Sequence, residues 1–122
     1  MGTEAQDKGF AVLFFPCRGG DTSVIYVSTP APSWLGEEDL SKIVIEEIGI
    51  YCLFFLIPAR TGTALLSVNG HPVPGSLTKA YAGSLCGSAV CSIRERALPC
   101  CLEVCTEDTT EGGIFVVARV DV

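Results

Sequence analysis

At 122 residues the chain has the length of one ordinary domain built round one hydrophobic core. Hydrophobic residues make up 48 % and charged ones 18 %, with a mean hydropathy of +0.45, so either the surface is polar but uncharged or partners cover part of it. A net charge of −6, with Arg94 and Arg96 as the one close basic pair, excludes a basic stripe that tracks a phosphate backbone.

The segment 1–9 is polar and expected to be flexible, leaving 10–122 as a single domain. Phe10 to Phe15 reads as a strand stopped by Pro16; it is too short for a secretory h-region and has no basic run before it. Cys17-Arg18-Gly19-Gly20-Asp21 is a turn by composition, and Ser23 to Ser28 is a second strand carrying Val24, Ile25, Tyr26 and Val27. Pro30 and Pro32 mark a loop, because proline removes ladder donors. Trp34 to Lys42 is the one helical turn expected, with Ser33 as its cap and Glu37, Glu38 and Asp39 near its start. Ile43 to Ile45, a turn at Glu46-Glu47, and the apolar run Ile48 to Ile57 follow. That run falls far below the roughly 20 residues that span a bilayer, so no membrane insertion is expected. Gly62 to Val68 alternates into Asn69-Gly70, the strongest short hairpin signal in the chain. Gly83 to Ser88 is small and turn-rich; Ala89 to Ile93 and Leu98 to Cys105 are strands around Arg94-Glu95-Arg96-Ala97, and Ile114 to Val122 closes the chain. About eight short strands with regularly spaced turn signals, and no helix–strand alternation, predict an all-β sandwich or barrel.

The middle strand says more. Ile50, Cys52, Phe54 and Leu56 share one face; Tyr51, Leu53, Phe55 and Ile57 share the other, and both faces are apolar. An antiparallel strand in a lone sandwich has one dry and one wet face. Too few residues remain to build a covering layer, so a second copy of the chain is the expected cover. The last strand repeats the pattern, with Ile114, Val116, Ala118 and Val120 on one side and Phe115 and Val117 on the other. The set Tyr51, Leu53, Phe55, Ile57, Phe115 and Val117 is assigned to the subunit interface.

Seven cysteines are an odd count, so at least one is free or joins two chains. Cys101 and Cys105 share a face with Glu103. Four residues apart along a strand, they lie roughly 13 Å from one another, beyond the about 7 Å between Cα atoms that a disulfide allows. Cys17, Cys86, Cys91, Cys101 and Cys105 are the candidate cross-linking thiols, and Cys52 reads as a small buried hydrophobe. None of the spacings is the paired Cys-x-x-Cys of a structural zinc site, and the carboxylates Glu37-Glu38-Asp39 and Glu46-Glu47 lack calcium-loop spacing. His71, the single histidine, follows a hairpin turn with no orienting partner, so no nucleophilic pair is expected. Catalytic, cofactor and metal residues are therefore all expected to be none, and the chain is expected not to be an enzyme.

Ile43-Val44-Ile45-Glu46-Glu47-Ile48-Gly49-Ile50-Tyr51 resembles the strand, Gly-x-Tyr and apolar strand of C1q/TNF-like jelly rolls. Thr63-Ala64-Leu65-Leu66-Ser67-Val68-Asn69-Gly70-His71-Pro72-Val73-Pro74-Gly75-Ser76 is similar to a segment of the C-terminal heads of bacterial collagen-like spore-surface proteins (BclA-type). The resemblance covers roughly Phe10 to Val120. It departs at Arg94-Glu95-Arg96-Ala97, where such heads carry Gly-Asp, and in the cysteines; no Gly-X-Y tract lies within the sequence. It implies a jelly roll of eight to ten antiparallel strands, a homotrimer about a threefold axis, and a non-catalytic role at a spore (exosporium) or cell surface. Two alternatives stand beside that reading: a disulfide-stitched subunit of a filament or shell, and a ligand- or receptor-binding module using loop aromatics, for which Trp34 is the candidate.

Overall fold

The computed structural model describes residues 7–122. In chain order these form β1 (Gly9–Phe15), β2 (Val24–Val27), β3 (Leu35–Asp39), β4 (Lys42–Ile45), β5 (Gly49–Ile57), β6 (Thr63–Val68), β7 (His71–Pro72), β8 (Thr78–Lys79) and β9 (Leu85–Ile93). A 3-10 turn at Glu95–Ala97, β10 (Cys100–Glu107) and β11 (Gly113–Asp121) complete the order. One antiparallel sheet runs β2-β1-β11-β5-β9; the other runs β3-β4-β10-β6-β7, with β8 also on β6. After the β1–β2 and β3–β4 hairpins the chain passes back and forth between the two sheets, which is the jelly-roll sandwich expected from the sequence. Among the described residues no helix is long and apolar enough to cross a membrane. Of the segment expected to be flexible, residues 1–6 lie outside the described residues, while Gly9 already belongs to β1.

Strand alternation builds the core. Ala11 and Leu13 of β1, Tyr51, Leu53, Phe55 and Ile57 of β5, Leu85 and Ile93 of β9, and Phe115 and Val117 of β11 all turn inward. Facing them are Trp34, Ile43, Ile45, Ala64, Leu66, Cys100, Leu102 and Val104 from the second sheet and its approach. This corrects the interface assignment. Tyr51, Leu53, Phe55, Ile57, Phe115 and Val117 are fully buried within one chain, because Phe55 pairs with Phe115 and Leu53 with Val117, and that side of the sheet closes on the second layer.

Two local expectations also change. Trp34 to Lys42 is not helical: β3 pairs with β4 through Leu35↔Ile45 and Asp39↔Lys42, and Leu40 takes a positive φ of 49° in the turn between them. The segment lacks an apolar stripe at helical spacing, so the one large side chain, Trp34, is buried from an extended backbone instead. The small run before Ala89 turns only at its start, where Ala82 and Gly83 take positive φ between Tyr81 and Ser84; β9 already begins at Leu85. Gly87 sits opposite Phe55, and a Cβ there would lie 2.8 Å from the Phe55 ring. Its lack of a side chain makes room for a core phenylalanine rather than breaking the strand.

Candidate functional site

Among the described residues the outward face of the five-stranded sheet carries no charged side chain except at its end, where β11 bulges after Arg119 and Asp121 comes opposite Ile50. Phe10, Val12 and Phe14 on β1, Val24 and Tyr26 on β2, Ile114, Val116, Ala118 and Val120 on β11, and Ile50, Cys52, Phe54 and Leu56 on β5 all point outward, opposite in parity to the core set. β9 adds Cys86, Ser88, Val90 and Ser92 at the sheet edge. Cross-strand register makes the surface continuous: Phe54 lies between Val116 and Ser88, Cys52 between Ala118 and Val90, and Leu56 between Ile114 and Cys86. Phe14 and Tyr26 meet edge to face at 5.6 Å. The four outward aromatic rings Phe10, Phe14, Tyr26 and Phe54 are 44 %, 44 %, 61 % and 39 % exposed. With aromatic side chains near 200 Å² each, they alone leave on the order of 400 Å² of apolar surface in water, before the aliphatic residues are added. Soluble monomers rarely expose a contiguous patch of that kind.

The outward face of the other sheet is different. Lys42 and Glu103 approach to 4.0 Å across the β4–β10 pair, and Cys101 and Cys105 flank them. Cys105 lies 3.6 Å from the Ser67 hydroxyl. Burial is the main influence that raises the Cys101 thiol above its ordinary range, against a smaller lowering by Lys42.

The seven thiols, all free, thus fall into separate environments. Cys17 is exposed in the β1–β2 loop. Cys52 and Cys86 lie on the apolar outer face, so Cys52, expected to be buried within the chain, is instead half-exposed there. Cys91 and Cys100 turn inward, and Cys101 and Cys105 lie half-exposed on the mixed face. The five candidate cross-linking positions are therefore not brought together, and Cys91 belongs to the core edge rather than to an outer surface.

One polar network closes an end of the core, and sequence reading missed it. Arg119 continues the inward parity of Phe115 and Val117 and is buried. Its Nη1 donates to Glu47 Oε1 at 2.8 Å and to the Asp7 carbonyl at 2.9 Å, and its Nη2 donates to the Ile48 carbonyl. Ser33 Oγ donates to the same Glu47 oxygen at 2.9 Å. Gly49 is required beside it, because a Cβ there would sit 2.7 Å from Arg119 Nε. Tyr51 lies under the guanidinium at 6.0 Å, donates its hydroxyl to the Glu47 carbonyl at 2.7 Å and packs on Trp34 at 5.4 Å. Burial, only partly opposed by Arg119, pushes its phenol up to about 12. Glu47, read from sequence as a turn residue, is thus the counter-ion of a buried arginine. The Gly-x-Tyr spacing was the available signal; its arginine partner is 70 residues away in the chain and could not be read locally.

His71 is exposed on β7 beside the Asn69-Gly70 turn, where both residues have positive φ as a two-residue hairpin requires. Trp34 is fully buried and is no loop aromatic; Tyr81, 83 % exposed, with Leu77 nearby in sequence, is the exposed aromatic of the loops. Glu37, Glu38 and Asp39 lie exposed on β3. No group of three or more His, Cys, Asp or Glu side chains is arranged to hold a metal ion among the described residues.

No family model and no curated protein matches the sequence. Solved structures match the fold. GITRL from bushbaby aligns with a TM-score of 0.65 at 11 % identity, covering 93 % of this chain and 95 % of that one. Rabbit GITRL aligns at 0.67 and 11 %, covering 91 % and 93 %, and Eiger TNF from S. frugiperda at 0.58 and 11 %, covering 93 % of each. At these identities the likeness is one of fold: the chain is a TNF-like jelly roll over nearly its whole length.

Proposed function

We propose that this chain is a non-enzymatic assembly module, a jelly-roll head that forms a homotrimer through the outer face of its β2-β1-β11-β5-β9 sheet. The observation that carries the reading is the continuous apolar face, whose one charged strand residue, Asp121, lies at its end. Covering it removes aromatic and aliphatic surface from water at about 25 cal/mol per Å², and an identical copy is the partner always present at matching concentration. The threefold arrangement comes from the resemblance to C1q/TNF-like heads. The placement at a bacterial spore or cell surface rests on the Thr63–Ser76 segment alone. Native mass spectrometry with sedimentation velocity tests the assembly: a discrete trimer is expected, and a well-folded monomer at micromolar concentration refutes it.

The alternative of a disulfide-stitched filament or shell draws on Cys17 and Cys86, both exposed. A non-reducing gel separates the two, since a discrete head does not ladder into covalent oligomers that reductant dissolves.

A further inference from the structure

Cys91 and Cys100 are the two thiols that no outer face or loop accounts for. In the five-stranded sheet Arg119, Tyr51 and Cys91 form one lateral row, because Tyr51 pairs with Arg119 on one side and with Cys91 on the other. In the six-stranded sheet Leu35, Ile45 and Cys100 form a row in the same way. Trp34, adjacent to Leu35, packs on Tyr51 at 5.4 Å, which sets the two rows against each other across the core. β9 packs over β6, the strand beside β10, so the Cys91 end of the first row lies toward the Cys100 end of the second. The electrostatics agree. After burial and Cys101, Cys91 is the neighbour that holds the Cys100 thiol up, and Tyr51, flanked by Cys91, also feels Cys100 after burial, Arg119 and Glu47.

We infer that Cys91 and Cys100 form an intramolecular disulfide, tying β9 of one sheet to β10 of the other, when the protein meets a small-molecule disulfide. Cys91, half-buried on the edge strand, is the thiol reached first; Cys100 is fully buried and acts second. The Cys91 thiolate attacks one sulfur of R–S–S–R and expels R–S⁻. The Cys100 thiolate then attacks the Cys91 sulfur of the mixed disulfide and expels the second R–S⁻. The two thiol protons end on the two R–S⁻ groups, giving two R–SH, and two electrons pass from the cysteine pair to the oxidant. Burial raises both thiols, Cys100 to about 11, so the exchange is slow near neutrality and quickens as pH rises toward that range.

The chain is suited to a direct test, because Arg94 and Arg96 lie between the two cysteines and trypsin places them on separate peptides. Native protein is incubated with oxidised glutathione at mildly alkaline pH, its remaining thiols are alkylated, and a non-reducing tryptic map is sequenced by fragmentation. The expected product joins the Cys91 peptide to the Cys100 peptide within a chain of monomer mass, and reductant separates them. The link survives in Cys101→Ser and Cys86→Ser and is lost in Cys100→Ser. Overturning results are a link that survives Cys100→Ser, a link confined to Cys86 or Cys101, or Cys91 halted as a glutathione adduct with Cys100 alkylated. The wild-type map locates the bond even where a variant fails to fold.

Discussion

Replacing Phe54 tests the assembly surface at a central strand, with a magnitude that follows from the structure. Phe54 lies between Val116 and Ser88 and keeps 39 % of its surface exposed in the single chain. With about 200 Å² for an aromatic side chain, roughly 80 Å² remains to be covered by a neighbouring protomer. At 25 cal/mol per Å² that is about 2 kcal/mol per protomer, and three protomers give about 6 kcal/mol for the trimer, or roughly four powers of ten in its dissociation constant. Phe54→Ala is therefore expected to shift dissociation into a measurable range without unfolding the chain. Phe54→Glu is expected to abolish assembly, because burying an unpaired carboxylate costs several kcal/mol. Sedimentation velocity over a dilution series, with near-ultraviolet circular dichroism to monitor packing, reads out both. The control is Phe55→Glu, one residue along and fully buried, which is expected to collapse the fold itself. An assembly that tolerates Phe54→Glu refutes the reasoning, and so does a Phe54→Glu chain that unfolds as Phe55→Glu does.

Cys52 shares the Phe54 face, so a thiol-reactive probe is expected to label it slowly in concentrated protein and faster on dilution, while Cys101 on the other sheet labels alike at both; a Cys52 rate independent of concentration counts against the interface. Arg119→Met removes the donors held by Glu47 and the Asp7 and Ile48 carbonyls and is expected to lower stability by about 1–3 kcal/mol in denaturant unfolding; an unchanged midpoint means the network is incidental. The Tyr51 phenol is raised from 10.0 to about 12, so the folded state favours its protonated form: that stabilisation is whole below pH 10 and lost as pH rises towards 12. Ultraviolet titration is expected to show Tyr51 resisting ionisation until that range, and ionisation of Tyr51 near its ordinary value of 10.0 contradicts its burial. His71→Ala is expected to change stability by less than about 0.5 kcal/mol; a larger loss in thermal unfolding means the histidine has a partner.

Period-two alternation in 50–57 and 114–120, the Asn69-Gly70 hairpin and the absence of helix–strand alternation made the all-β sandwich legible from residues alone, because strand polarity and turn chemistry are local properties. The same locality put Cys101 and Cys105 on the face of Glu103, and the structure turns that face outward while Cys100, Leu102 and Val104 turn inward. Local pattern also showed that β5 has two apolar faces, yet it could not say which one is the core. Swapping the faces leaves the hydrophobic pattern unchanged, and only the closing of the second sheet over Tyr51, Leu53, Phe55 and Ile57 breaks that symmetry. The one charged residue that bears on the choice points the wrong way: Arg119 shares the parity of Phe115 and Val117, and a charge ordinarily marks the wet face. It is tolerated inside because Glu47 and the Asp7 and Ile48 carbonyls converge on it, beside a glycine that leaves it room. Those partners are supplied by loops and strands distant in sequence, so the orientation of the sheet, and with it the position of the assembly surface, is decided by tertiary contact.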